Sequence, residues 1–252
     1  MLNKEYETMR QVEDTYWWYQ VLHGYVPQQV AGLLKDGAGR VLDAGCGTGG
    51  TLRHLKDRNA MWDLHGFDFS PLAVEYCKFR GFNQVCQGSV DAIPAEDRSF
   101  DVVISLDVLC HAGLDETRAV AEFARVARPG GHVILNLPAF YFLMGRHDIA
   151  VGSVRRYDER RVRELMAGAG LRIKEIHYWN AWLFPPILLW RQFSRLLSFG
   201  QEREEAKSDL TQLPGWLNKV LAGVARMDMK LCRWVGVPVG TSVFVVAEKP
   251  NS

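Results

Sequence analysis

Val41-Leu42-Asp43-Ala44-Gly45-Cys46-Gly47-Thr48-Gly49-Gly50 passes from a short apolar run, through an acid, into a cluster of glycines. The apolar run reads as a strand. The glycines read as a strand-to-helix turn, whose backbone can reach positive φ and approach a ligand closely. A helical pattern follows at Thr51–Arg58. Turns of this kind bind nucleotides and dinucleotides, and Gly45, Gly47 and Gly50 also satisfy G-x-G-x-x-G, the dinucleotide spacing. Asp43 separates the readings. It stands two residues before the first glycine, at the carboxyl end of the strand, where the dinucleotide pattern usually has an apolar residue. An acid there repels a pyrophosphate. It suits a ligand that carries an ammonium and a sulfonium, and S-adenosylmethionine carries both.

Outward from this turn, strand and helix patterns alternate. Further strands are expected at Trp62–Asp68, Asn83–Gln87, Phe100–Leu106, His132–Leu137, Leu171–Tyr178 and Thr241–Ala247. Helices are expected from the Ser70-Pro71 cap to about Arg80, at Asp115–Ala127 ahead of Pro129-Gly130-Gly131, and at Glu159–Ala169. Val102-Val103-Ile104 is near-continuously apolar and reads as a strand buried on both faces. This alternation predicts βαβ units and a parallel sheet. Residues 4–34 read as helical, with Pro27 expected to break the segment in two and Tyr16-Trp17-Trp18-Tyr19 as a dense aromatic cluster.

The turn resembles the first motif of class I S-adenosylmethionine-dependent methyltransferases, hhDxGxGxG. Asp68 closes the second strand, where that family places the acid that binds the ribose hydroxyls. Gly88-Ser89-Val90-Asp91-Ala92-Ile93-Pro94 resembles the adenine-binding turn. Ser99-Phe100-Asp101-Val102-Val103, Leu106-Asp107-Val108-Leu109-Cys110-His111 and Arg128-Pro129-Gly130-Gly131 follow in the family's order. The resemblance spans residues 38–178 and, with the last strand, most of the chain. A Trp-Trp-aromatic helix and the sets His147-Asp148 and Arg155-Arg156-Tyr157 are similar to a bacterial subset of the family.

The resemblance implies an α/β fold with a doubly wound, seven-stranded, mostly parallel sheet whose last strand is antiparallel. It implies an N-terminal helical cap (1–36), a Rossmann-like core (37–179 plus 238–252) and a helical insertion or lid (180–237). The implied cofactor is S-adenosyl-L-methionine, with S-adenosyl-L-homocysteine as product. It would be held by Asp43, Gly45, Cys46, Gly47 and Gly49, by Asp68 and Phe69, by Ser89, Val90 and Asp91, and by Leu106. The family often has Asp where Ser89 stands, so the adenine contact is expected from Ser89 or Asp91. Cys46 has no basic neighbour in sequence and reads as small filler, not a nucleophile.

Substrate groups are expected in the loops after the fourth and fifth strands, since ligands of open α/β sheets lie at the strands' carboxyl ends. His147 is the candidate to take a proton from a hydroxyl or amine, with His111 and Tyr157 facing the same methyl. Arg155 and Arg156 either hold an acceptor's anionic group or pair with Asp148 and pin the loop. In 180–237, Pro185-Pro186 starts one helical pattern (Ile187, Trp190, Phe193, Leu197) and a second runs through Leu217, Leu221, Val224 and Leu231. Two such helices either pack on each other and the domain or form an apolar lid that touches a bilayer through Trp182, Phe184 and Trp190. Tyr16, Trp17 and Trp182 are expected to line the acceptor pocket. Gln201–Asp209 reads as a solvated connector.

The chain has 252 residues and a formal net charge of +1, without the basic excess typical of nucleic-acid binders. Five cysteines with no CxxC pair give neither a zinc pattern nor a disulfide framework. No His/Asp/Glu set has metal spacing. No apolar leader or membrane-spanning run is visible, so a cytoplasmic protein is expected, with peripheral membrane contact left open. The expected function is methyl transfer to a small or medium, partly apolar or lipid-like acceptor by a monomer or homodimer, with oxygen, nitrogen and carbon acceptors all open. Two rivals remain: a non-catalytic cofactor-binding accessory protein, and an NAD-linked oxidoreductase. Asp43 and the lack of a Tyr-x-x-x-Lys pair weigh against the latter.

Overall fold

The computed structural model describes residues 3–35, 37–197 and 213–251. The stretch Gln201–Asp209 and the side chains of Phe193 and Leu197 lie outside the described residues. Seven strands form one sheet: β1 (Gly39–Ala44), β2 (Trp62–Asp68), β3 (Val85–Gln87), β4 (Phe100–Leu106), β5 (Ala127–Pro138), β6 (Arg172–Trp179) and β7 (Ser242–Glu248). Their order is β3-β2-β1-β4-β5-β7-β6. All neighbours are parallel except β7, which runs antiparallel to both β5 and β6. The sheet order turns back between β1 and β4, which opens a crevice at their carboxyl ends. Asp43 of β1 lies there, opposite Gly66 of β2 and Ile104 of β4.

Nine helices are described: α1 (Asn3–Val12), α2 (Trp17–Leu33), α3 (Gly50–Arg58), α4 (Pro71–Phe79), α5 (Glu116–Val126), α6 (Arg146–Ala150), α7 (Glu159–Gly168), α8 (Phe184–Leu197) and α9 (Gly215–Val235). The Ser70 cap read from sequence is formed, and Asp115 caps α5. Ser70 Oγ accepts from Ala73 N, with Pro71 in the first turn, and Asp115 accepts from Thr117 N and Arg118 N. These contacts satisfy backbone donors that the first turn leaves without partners.

Pro27 does not break the N-terminal segment. It lies buried inside α2, between Val26 and Val30, which pack on the sheet. Burial of that face outweighs the lost helical hydrogen bond. The break falls instead at Glu13–Tyr16, where Glu13 turns inward to meet Arg80 and Thr48. β5 also begins earlier than expected, because Ala127 pairs with Phe100 before the register shifts.

The core divides across the sheet. Phe123 of α5 and Val162, Leu165 and Met166 of α7 pack on one face with Val103, Leu135 and Val245. On the other, Leu22 and Val26 of α2 and Ala225 and Met229 of α9 pack with Ile104, Trp179 and Phe244. Trp18 stacks on Trp179 at 6.1 Å between centroids, and Asn218 Oδ1 accepts from Trp17 N at 3.1 Å. So α9, the second helix of the 180–237 insertion, packs as a layer of the core. Its alanines let it approach β6 and α2 closely.

Candidate active site

The β1–α3 turn has the conformation its glycines allow. Gly45 has φ +86°, and a Cβ there would sit 2.4 Å from Val108 Cγ2. Gly47 has φ +52° and lies beneath α1, where a Cβ would sit 3.2 Å from Met9 Sδ. Gly45 therefore disfavours a side chain on backbone and on space, and Gly47 on backbone conformation. Asp68, at the end of β2, fixes the turn: its Oδ2 accepts from Gly47 N at 2.9 Å. Its Oδ1 accepts from Ser70 N and from the Tyr6 hydroxyl, each at 2.9 Å. Tyr6 and Glu13 thus bring the N-terminal segment over the turn, a role not visible in the sequence pattern.

Asp43 is in the opposite situation. It is buried, and its Oδ2 has no hydrogen-bond partner. Burial, then the charges of Asp68 and Glu13, pushes its carboxyl up to about 8. A buried carboxylate without a partner is costly, and a cation beside it removes the cost. An unfolded aspartate titrates near ~3.9. Between that value and about 8 the folded protein holds a proton that the unfolded chain has lost, so the contribution of Asp43 to stability falls as pH rises across this window.

Asp43 and Asp68 open onto a cavity of about 730 Å³ at the carboxyl ends of β1, β2 and β4. Gly45, Cys46, Gly47, Phe69, Ser89, Val90 and Leu106 line it, as do His111, His147, Arg156, Tyr16 and Trp17. Ile187 closes it from α8. These are the residues the structure brings together.

Five expected residues stand outside its lining. Gly49 caps α3 behind the turn, packed near Cys77. Asp91 meets the Ser89 hydroxyl, which holds its carboxyl low. Tyr157 is buried with its hydroxyl 2.8 Å from Leu109 O and 2.7 Å from Glu116 Oε2, and burial together with Glu116 raises it far above the usual phenol range. Arg155 donates to the carbonyls of His111 and Leu114 at 2.6 and 3.0 Å, so it pins the loop after β4. Trp182 faces outward, 58% exposed. Arg156 both lines the cavity and forms a buried two-pronged pair with Asp148 at 3.0 and 3.1 Å. That pairing is the loop-pinning alternative of the sequence reading.

Among the cavity residues that the sequence reading did not single out, Asp107 carries the most chemistry. Asp107 follows β4 directly, in the strained region at φ +55°. Asn136 Nδ2 donates to its Oδ2 at 2.8 Å, and Trp179 Nε1 fixes Asn136 through its Oδ1 at 2.8 Å. Burial pushes the Asp107 carboxyl up to about 7, against the Asn136 donor and the charge of Arg156. His111 is held low by burial, so it is neutral at pH 7, and its Nδ1 has no partner. The signal for Asp107 was present: like Asp43 and Asp68, it is an acid at the end of an apolar strand.

A doubly wound sheet with a glycine turn after β1 and acids at the ends of β1 and β2 defines a Rossmann-like fold, whose crevice at the strands' carboxyl ends is the usual place for a ligand. Residues 42–135 match the family model described as methyltransferase domain. Over this stretch, somewhat over a third of the chain, the protein is similar to class I S-adenosylmethionine-dependent methyltransferases. It is 34% identical over 98 residues to the phthiotriol/phenolphthiotriol dimycocerosates methyltransferase of Mycobacterium leprae, covering 37% of this chain and 36% of that protein. Its identity to phthiotriol/phenolphthiotriol dimycocerosates methyltransferase 1 of Mycobacterium ulcerans is 30% over 129 residues, 49% of this chain and 47% of that protein. The matched stretch therefore spans half or less of these relatives' own length. A solved geranyl diphosphate methyltransferase in complex with S-adenosylmethionine shares the fold, with a TM-score of 0.56 at 14% identity over 90% of this chain and 85% of that one.

Proposed function

We propose that the protein transfers a methyl group from S-adenosylmethionine to a hydroxyl of a partly apolar, lipid-like acceptor. The observation that carries cofactor binding is the buried, unpartnered Oδ2 of Asp43 beside the glycine turn. It suits the ammonium of the methionyl group. Asp68, whose Oδ1 already accepts from one hydroxyl, would accept from those of the ribose. Ser89 and Val90 would border the adenine, and Phe69 would cover it.

When bound, the cofactor supplies a methyl group activated by its sulfonium. The chain's part is to align the acceptor, exclude water and remove a proton. Asp107 is the group best placed for the last step. Its carboxyl lies in the cavity, is held in one orientation by Asn136, and titrates near the operating range. The aromatic wall of Tyr16 and Trp17 and the side chain of Ile187 favour an apolar acceptor. The relatives named for phthiotriol and phenolphthiotriol dimycocerosates support that choice.

Incubating the purified protein with methyl-labelled S-adenosylmethionine and a lipid extract tests the reading. Label in an organic-soluble, base-stable product supports it. A chain that binds NADH and not S-adenosylmethionine sinks it. Asp68→Ala is expected to weaken cofactor binding by about 10- to 150-fold, from a loss of roughly 1.5–3 kcal/mol for a hydrogen bond to a charged group; unchanged affinity in calorimetry rejects the ribose assignment. Cofactor binding at pH 7 is also expected to release close to one proton. A carboxyl at about 8 is about nine-tenths protonated there, and the ammonium drives it to ionise. Binding heats that do not vary with the buffer's ionisation enthalpy would contradict that.

A further inference from the structure

Helix α9 presents three faces, although only one is needed to fold. At 3.6 residues per turn, Ala222, Ala225, Met229 and Cys232 fall on one side and are buried. Lys219, Arg226, Lys230 and Arg233 form a second row, all exposed. Trp216, Val220, Met227, Leu231 and Trp234 form a third, also exposed; Trp216 is 69% and Trp234 85% exposed. The single acid of the helix, Asp228, is buried on the first side, with its Oδ1 accepting from Trp182 N at 2.9 Å. The outer surface of α9 is therefore apolar along one stripe and purely cationic along the next. Trp182, Leu189 and Trp190, at and within α8, are exposed as well.

The cationic row also borders a second cavity. It is an open groove of about 920 Å³ between α2 and α9, walled by Lys174, Arg226, Lys230 and Arg233. Among the described lining residues Glu175 is the only acid, and it pairs with Arg233 at 2.7 Å. An apolar stripe beside a row of cations fits the boundary between acyl chains and anionic headgroups. Tryptophan favours that depth, and long cationic side chains reach from it to phosphates. A second copy docking through the same face would set a like-charged row towards its own.

We propose that α9 seats the protein on the surface of an anionic phospholipid bilayer, with Trp216 and Trp234 in the interface and headgroup phosphates along Lys219, Arg226 and Lys230. No helix among the described residues is long and apolar enough to cross a membrane, so the contact is peripheral. Ile187 of α8, the helix that also carries the exposed Leu189 and Trp190, lines the cavity assigned above to the acceptor. The docking itself does not rest on methyl transfer and is read without it.

The test is co-sedimentation of the full chain with vesicles of phosphatidylcholine plus phosphatidylserine, and with vesicles of phosphatidylcholine alone. Preferential binding to the anionic vesicles, weakened by salt, is expected. The triple variant Lys219→Gln/Arg226→Gln/Lys230→Gln should lose about 10²-fold in partitioning, roughly fivefold per charge. Trp216→Ser/Trp234→Ser should lose the blue shift of tryptophan emission that anionic vesicles induce in the parent chain. Calorimetry with S-adenosylmethionine on the same preparations keeps the two readings apart. A chain that binds cofactor yet ignores anionic vesicles overturns the docking surface alone, and so does a stable dimer that the tryptophan variant dissociates. Vesicle binding by a chain without cofactor affinity overturns the methyltransferase reading alone.

Discussion

Asp107→Asn is expected to lower turnover by about 10²–10⁴-fold while leaving cofactor affinity within a few-fold of the parent, the loss typical when a general base is removed. Asparagine keeps the size of the side chain and cannot take a proton. Asn136 and Trp179 still hold the neighbourhood in place, so a folding defect is not the expected cause. The parent's rate should rise with pH through about 7 as Asp107 ionises. The groups that bear on it are Arg156, whose charge favours ionisation, and the nearby Tyr19 and Cys110, both held neutral by burial. Single-turnover rates across pH 5–9 decide the matter. A variant that keeps both rate and profile removes Asp107 from the chemistry and returns attention to His147, which lines the same cavity.

Asp43→Asn should separate stability from binding. Removing one partner of a buried charge pair typically costs about 2–5 kcal/mol, so affinity for S-adenosylmethionine should fall by at least 30-fold. The ligand-free protein should gain stability in the same variant, because no unpartnered carboxyl remains in the core. The gain should be largest above pH 8, where the parent has ionised Asp43 without a cation beside it. Thermal melts at pH 6 and pH 9, with and without cofactor, give all four comparisons. A ligand-free variant that melts below the parent at pH 9 refutes the account.

What the sequence revealed and what it hid differ by distance along the chain. The β1–α3 turn, Asp43 and Asp68 are local signals: an apolar run, an acid and a glycine within a few residues. The caps at Ser70 and Asp115 are local too. Asp107 carries the same local mark, but its chemistry is made by Asn136, Trp179 and Arg156, which only the folded sheet assembles. Spacing likewise could not say which side of the loop after β5 faces the cavity. Arg156 and His147 do, whereas Arg155 and Tyr157 turn towards the loop after β4. Pro27 misled because propensity is local and burial is not.

The position of β7 has a consequence during synthesis. In the finished sheet β6 touches only β7, and β7 stands between β6 and β5. The ribosome delivers β6 first, then α8 and α9, and only then β7. At the usual ~5–20 residues per second, β6 waits roughly 3–12 seconds for its partner. During that interval the backbone groups of β6 that pair with β7 have no ladder partner. Slowed translation across the two helices lengthens the wait, so synonymous codon choice in that stretch should govern how much nascent chain is captured by chaperones or lost to aggregation.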